Sequence, residues 1–369
     1  MGTRPEVIKV APVIFAARQE GIETVVLNTG QHRDLSADTL ASFGLRSDID
    51  LDVMTAGQSP SDVAARVLTS IGTVLKDLNP SWVLVQGDTT TVLAAGIAAS
   101  YQKIQLAHIE AGLRSHDRHQ PFPEEINRRV VGSIADRHFA PTQTAADALL
   151  AENVNPSDVL VTGNTVIDAL HWACDQQPRE PDDPGLSKLD PSRPIVLFTT
   201  HRRENFGTKL HDVFGAVTTL IELRPELQFV YPVHPNPEVK SVAHEYLGHY
   251  ESVILTEPLS YLDIAWTLNA CSAVLTDSGG LQEEGPALGK QVIVLREVTE
   301  RPEAVDANMA HLVGTDPTKI VPMVLAAIDN HSNPRVSPYG DGLAAQRIVD
   351  SVLGREVDPF VVNQGAISS

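Results

Sequence analysis

Residues 272–305 read SAVLTDSGGLQEEGPALGKQVIVLREVTERPEAV. Small and apolar residues lead to a sharp turn at Asp277-Ser278-Gly279-Gly280, and a short helix follows. Gly289 ends that helix, and a second apolar run occupies 292–295. Strand, glycine turn, helix and strand make the parallel βαβ unit. Two glycines let backbone approach a ligand closely, and a helix N-terminus offers free N–H groups and partial positive charge, a combination that holds phosphate. Glu283 and Glu284 are expected in the first helical turn, where carboxylates suit the dipole or accept from ribose hydroxyls. An ordinary tight turn is the plain alternative. Arg301, between Glu300 and Pro302 just past the second strand, favours a nucleotide.

Working outward, apolar runs bounded by turns recur at 24–27, 82–85, 104–107, 159–161, 195–198, 229–233, 253–255, 274–275 and 292–295. Helix-like segments at 61–78, 92–100, 125–135 and 209–223 alternate with them, which predicts parallel α/β sheets. Residues 82–112 repeat the plan of 273–300: strand, polar turn (Gly87-Asp88-Thr89-Thr90-Thr91), helix, lysine, strand, glutamate. One such unit per half predicts an α/β protein of two Rossmann-like domains facing a cleft, with ligands outside the carboxyl ends of the strands. The proline-rich, charged stretches 177–185 and 190–194 read as a linker or border loop. The boundaries expected are 1–170 for the first domain, with a C-terminal helix in 341–369 packing back on it, and 190–340 for the second. At the start, GTRPE (2–6) looks like the turn after a strand, yet only Met1 precedes it. A strand needs about five residues, so the expectation is a sheet lacking its first strand or a chain that begins late.

With 369 residues, two domains are expected. No apolar run approaches the ~20 residues that span a bilayer, and no leader pattern follows Met1. Two cysteines, Cys174 and Cys271, give neither a disulfide framework nor zinc spacing and suit a reducing cytoplasm. The 28 basic and 47 acidic residues leave a net charge of −19, with only eight lysines. Such a field repels nucleic acid and anionic membrane. It is the balance of a salt-adapted protein, or of one that is simply acidic.

Four groups suggest chemistry. Gly2-Thr3-Arg4-Pro5-Glu6 with Lys9 offers a glycine turn and two cations, suited to phosphate. Asp88 stands at a strand end, where it either acts on a ligand or caps the next helix. Glu110 closes the apolar strand of His108-Ile-Glu110-Ala-Gly-Leu-Arg114, and Glu124 follows in Phe122-Pro-Glu124-Glu125. His201-Arg202-Arg203-Glu204-Asn205 ends another strand, and His234 closes the next. His108, His116 and His119 match no usual ligand spacing, so metal is set aside. A nucleophile elbow is also lacking. Three carboxylates and a histidine point to acid–base work on a bound nucleotide.

The motifs GTRPEVIKVAPV, GDTTT, HIEAGLRS, PFPEEINRR, TGNTVIDAL, HRRENFG, YPVHPNP, TDSGGLQEEGPALGK, TERPEAV and PYGDGLAAQRI run in order through nearly the whole chain. Together they resemble the non-hydrolysing UDP-N-acetylglucosamine 2-epimerases. That resemblance implies the glycosyltransferase-B fold, a homodimer, and reversible conversion of UDP-N-acetylglucosamine to UDP-N-acetylmannosamine with no added cofactor. It implies elimination of UDP to a 2-acetamidoglucal and re-addition. Asp88, Glu110 and Glu124 become the acid–base candidates, with His201 beside the diphosphate. Arg4, Lys9, Ser278, Gly279, Gly280, Glu284 and Arg301 match UDP contacts. Leu259 and Ile264 depart from a usual glutamine and aromatic near the uracil. Some bacterial members hold a second substrate molecule as activator, at positions matching Gln31, Gln58, Arg202 and His234, although Gly57 replaces a usual polar contact. A hydrolysing epimerase, a glycosyltransferase and a sugar-nucleotide-binding regulator are the competing readings. The full PFPEE run and the retained acids speak against the first and the last.

Overall fold

The computed structural model describes residues 1–31, 33–54, 57–176, 179–202, 207–329 and 337–362. Gln177 and Pro178 of the proline-rich stretch, and Arg203, Glu204 and Asn205 of the basic group, lie outside the described residues, as do 363–369. Two compact units emerge: Met1–Ala169 with Tyr339–Val361, and a second built on Leu170–Pro338. The division falls inside a helix, Thr165–Asp175.

The first unit runs α1 (Arg4–Gln19), β1 (Leu27–Asn28), α2 (Arg33–Ser42), β2 (Ile49–Asp50), α3 (Pro60–Leu78), β3 (Trp82–Gln86), α4 (Thr90–Tyr101), β4 (Gln105–Ile109), α5 (Glu124–Ile134), β5 (Arg137–Ala140), α6 (Gln143–Ala151), β6 (Val159–Val161) and α7 (Thr165–Asp175). Every strand pair is parallel, in two sheets: β1-β2 and β3-β4-β5-β6. Caps written in the sequence set the helix starts. Ser59 and Asp62 form a reciprocal capping box before α3, which ends at Asn79 in left-handed geometry. Alanines 94, 95, 98 and 99 on α4 let it lie close against the Val63, Val67, Ile71 and Leu75 stripe of α3.

The expected strand at 24–27 is shorter and later. The Val26 N–H is taken by the Asp48 carboxylate at 2.8 Å, and its carbonyl is shared by the N–H groups of Asp48 and Ile49. Regular pairing therefore begins only at Leu27. The Met1 ammonium donates to Leu27 O and Met1 O accepts from Thr29 N, so Met1 lies alongside β1.

The second unit runs β7 (Ile195–Thr199), α8 (Thr208–Leu223), β8 (Gln228–Pro232), α9 (Pro237–Leu247), β9 (Val253–Thr256), α10 (Tyr261–Ala270), β10 (Ala273–Thr276), α11 (Gly279–Ala287), β11 (Gln291–Val294), α12 (Pro302–Asp306), β12 (Ala310–Leu312) and α13 (Pro317–Asp329). Its sheet is wholly parallel, in the order β9-β8-β7-β10-β11-β12. That is third, second, first, fourth, fifth, sixth: the doubly wound Rossmann order. Strands covered by helices on both faces read as continuous apolar runs, and Ile195–Phe198, Phe229–Tyr231 and Ala273–Leu275 are almost fully buried. Phe198 stacks on Tyr231 at 4.5 Å while Phe214 meets both edge-on at 5.4 Å. The border segment is fastened to this unit: Asp182 N–H donates to Asp263, and Asp190 and Gln228 exchange two bonds. The last helix, α14 (Ala344–Val352), belongs to the first unit, where Ile348 and Val349 pack with Val13, Ala17 and Phe139.

Candidate active site

In the first unit the site residues gather where β3 and β4 end. The turn into α1 is held by Glu6, buried beneath it. Glu6 accepts from Gly2 N and Thr3 N with one oxygen and from Thr89 Oγ1 at 2.5 Å with the other. A Cβ on Gly2 would meet Thr29 Oγ1 at 2.2 Å, so only glycine fits there. This joins the start of α1 to the loop that carries Asp88. Asp88 is not a helix cap; Thr89 takes that place, accepting from Val92 N. Asp88 instead accepts from Arg128 Nη2 at 2.5 Å, while Asn127 holds its carbonyl. Arg128 and Arg129 both reach Glu125. Burial pushes the Glu125 carboxyl up, but the Ser115 N–H and the two arginines outweigh it and hold it below the usual range.

Glu110 follows β4 with φ +62°, a left-handed conformation that costs a glutamate energy and aims its side chain. Its Oε1 accepts from Lys9 Nζ at 2.5 Å and from Asn164 Nδ2 at 2.9 Å, and its Oε2 from Gln86 Nε2 at 2.5 Å. The Glu110 carboxylate abuts Gly87, one residue from Asp88. His108, wholly buried in β4, bonds Gly87 O through Nε2 at 2.7 Å, and burial drives its pKa down to about 4. It is therefore a neutral donor that braces the same turn. Glu124, half-buried, is the first residue of α5. Asp88, Glu110 and Glu124 are thus linked through Gly87 and α5. Lys9, read from sequence as a phosphate cation, is seated on Glu110. Arg4 opens α1, Gln31 accepts from Thr91, and Gln58 donates to Val53 O.

In the second unit the sheet reverses direction of build between β7 and β10, the switch point where open α/β sheets bind ligands. His201 and Arg202 follow β7; Asp277, Ser278, Gly279 and Gly280 follow β10. Asp277, fully buried, accepts from His201 N, Arg202 N and His201 Nδ1, the last at 2.8 Å. Burial would raise its carboxyl, yet these donors keep it below the usual range. Arg202 Nε also reaches Asp277 O. His234 accepts from Asn236 N; burial and neighbouring His201 lower its pKa, opposed by Asp277.

The α11 turn corrects one expectation. The helix starts at Gly279, so Glu283 and Glu284 fall in its second turn and face partners rather than the dipole. Buried Glu283 accepts from Arg301 Nε at 2.6 Å, and Glu284 accepts from Tyr261 Oη at 3.2 Å. The guanidinium lies over the turn: a Cβ on Gly279 would sit 2.7 Å from Arg301 Nη1. A cation held above a glycine turn and a helix N-terminus offers positive charge and N–H donors on one side of the turn, the chemistry that suits an anion. Leu259 is buried and Ile264 half-buried beside Tyr261 in sequence.

Sequence reasoning missed Gln86, Asn164 and Asp277 as parts of the site. The signals were present: Asn164 stands in TGNTVIDAL, and Asp277 is a carboxylate closing an apolar strand.

The two Rossmann-type parallel units, with a carboxylate cluster in one and a glycine turn beneath Arg301 at the switch point of the other, define an α/β protein of the glycosyltransferase-B class. A family model described as UDP-N-acetylglucosamine 2-epimerase matches residues 16–353. The chain belongs to that family. It is 42% identical over 367 residues to the UDP-N-acetylglucosamine 2-epimerase of Escherichia coli K12, covering 96% of this chain and 98% of that one. The crystal structure of a putative UDP-N-acetylglucosamine 2-epimerase from Listeria monocytogenes is similar with TM-score 0.91 and 41% identity, covering 98% of each chain. The Neisseria meningitidis UDP-GlcNAc 2-epimerase bound to UDP-GlcNAc matches with TM-score 0.85 and 38% identity, covering 96% of this chain and 98% of that one.

Proposed function

We propose that the protein interconverts UDP-N-acetylglucosamine and UDP-N-acetylmannosamine, without hydrolysis and without added cofactor. A carboxylate of the first unit removes the C2 proton while the C1–O bond to the diphosphate breaks, leaving a 2-acetamidoglucal and UDP. The diphosphate oxygen then returns to C1, and a proton reaches C2 from the opposite face. Asp88, Glu110 and Glu124 carry the proton transfers. The second unit is the UDP-binding domain: Arg301 with Ser278, Gly279 and Gly280 meets the diphosphate, Glu284 the ribose, and His201 the departing oxygen. Arg4 and Lys9 add charge for the same anion, Lys9 while paired with Glu110.

The observation that carries this reading is the setting of Glu110. A C2 proton beside an acetamido group is weakly acidic, so its removal needs a base held in one geometry. Glu110 has that: a left-handed backbone and donors on both oxygens. A nucleotide-binding regulator would need the anion turn but not this arrangement. A hydrolysing epimerase would release free N-acetylmannosamine. Phosphorus and proton NMR of a reaction with UDP-N-acetylglucosamine separates the two: UDP-N-acetylmannosamine supports the reading, and free sugar with accumulating UDP rejects it.

We place the protein as a homodimer in the cytoplasm. Phe122, Ile126 and Val130 form an apolar stripe at α5 that is 61%, 37% and 37% exposed, a surface suited to a second copy. Sedimentation at a monomer mass would reject the dimer. No described helix is long and apolar enough to cross a membrane. Activation by a second substrate molecule at Gln31, Gln58, Arg202 and His234 belongs to the same reading; a sigmoidal dependence of rate on substrate would support it, and a simple hyperbola would remove it.

A further inference from the structure

We propose that Asp277 is the positioning residue for His201: it fixes which imidazole nitrogen carries a proton and which meets the ligand. The inference rests on the epimerase reading for its catalytic consequence, but not for the pair itself. Asp277 closes β10 and His201 follows β7, the two strands that meet at the switch point. The Asp277 side chain is completely buried, whereas that of His201 is 45% exposed. One end of the pair is locked and the other is available.

An ionised carboxylate only accepts. Facing it at 2.8 Å, Nδ1 must carry hydrogen, so Nε2 is the nitrogen left for ligand. The same carboxylate also accepts from His201 N and Arg202 N. Backbone and ring are therefore held by one group, and the imidazole cannot turn without breaking its bond to Asp277. Thr199 and Thr276, one strand end apart at 2.5 Å, brace the floor of this arrangement, and Ser278 N–H donates to Thr276 Oγ1. The glycine turn and the histidine are thus set by one rigid strand pair.

The consequence for chemistry is direction. As C1–O breaks, negative charge grows on the diphosphate oxygen, and a donor already aimed at it stabilises the transition state more than the bound substrate. Nε2 donates to that oxygen once a solvent proton has reached it, and the Nδ1–H bond to the Asp277 carboxylate is kept in both forms of the ring. No proton passes to Asp277. An asparagine there presents a donor as readily as an acceptor, so the ring loses its preference for Nδ1–H.

The test uses the full chain with 15N-labelled histidine, the His201 signals being identified by their loss in His201→Gln. Wild type is expected to show neutral His201 as the Nδ1–H tautomer, and Asp277→Asn to show a mixture or the Nε2–H form. In turnover, Asp277→Asn should lose on the order of 10²-fold or more in kcat, with UDP affinity changed much less. Added to His201→Gln, it should cost little further. An Nε2–H tautomer in wild type overturns the proposal, as do full turnover in Asp277→Asn or a loss confined to UDP affinity. If Asp277→Asn does not fold, the wild-type spectrum still decides the tautomer. If the wild-type protein does not epimerise, the functional reading fails while the spectrum still judges the pair.

Discussion

Lys9 Nζ lies 2.5 Å from Glu110 Oε1, with the two side chains only 15% and 6% exposed. A cation from the first helix therefore sits on the carboxylate at the end of β4. Removing one member of such a withdrawn pair is costly, because the other stays desolvated. Lys9→Met should destabilise the fold by about 3 kcal/mol. Adding Glu110→Gln to it should recover part of that loss. Urea unfolding of both single variants and the double variant measures this; strictly additive losses would mean the pair is not coupled.

Binding and chemistry should separate between the two units. Arg301→Ala is expected to weaken UDP binding by about 1.5–3 kcal/mol, the scale of a charge-assisted bond, or roughly tenfold to a hundredfold and somewhat more in Kd. Glu110→Gln should leave UDP affinity nearly unchanged and lower turnover by roughly 10²–10⁴. Calorimetric titration and turnover assays check both. Unaltered UDP binding in Arg301→Ala, or near-normal turnover in Glu110→Gln, would remove the assigned role.

Gly279→Ala tests the same anion turn without touching a charge. The added methyl meets the guanidinium of Arg301, the movable end of a long side chain. Stability should therefore change by less than about 1 kcal/mol, since alanine is the better helix former. UDP affinity should fall by about tenfold as Arg301 is displaced, about 1.4 kcal/mol. A Kd equal to wild type would show that Arg301 does not meet the diphosphate from this position.

Much of this was legible in the chain. The second unit's strands announced themselves because strands buried on both faces are unbroken runs of Val, Ile, Leu and Phe. The doubly wound α/β class followed from their alternation with helices. Short strands did not show: β2, β5 and β12 carry Asp50, His138 and His311 within two to four residues, too brief and too polar for a pattern. Glu283 and Glu284 were misplaced by a turn because helix onset was set by backbone at Gly279, which no side-chain pattern marks. The pairing of Lys9 with Glu110 did not show, because sequence spacing cannot reveal a partner 101 residues away. Gln86 escaped for the same reason, whereas Asn164 in TGNTVIDAL and Asp277 at the end of an apolar strand carried signals in the chain that went unread.

Asp168 should make stability depend on pH in an unusual direction. It accepts from Ala345 N at the start of α14, and burial pushes its pKa up to about 6 from 3.8, more than its backbone donors offset. Between those values the folded state binds more protons, so this group's contribution to stability falls as pH rises from about 4 to 6. His108 acts oppositely, its folded pKa of about 4 adding stability as pH rises toward 6.5. In Asp168→Asn only the rising contribution remains. Relative to wild type, the variant should gain about 2–3 kcal/mol between pH 4 and pH 7. Urea midpoints at the two pH values check it; a pH-independent difference would contradict the burial argument.

The net charge of −19 predicts a melting temperature that rises with molar KCl as self-repulsion is screened. A flat or falling curve would mark the chain as acidic without being salt-adapted.

Elimination requires that the C2 proton leave the sugar, and incubation with UDP-N-acetylglucosamine in deuterated water reads that exchange. Proton NMR should show deuterium entering C2 of both UDP-N-acetylglucosamine and UDP-N-acetylmannosamine at a rate comparable to epimerisation. Epimerisation with the C2 hydrogen fully retained would rule out deprotonation at C2.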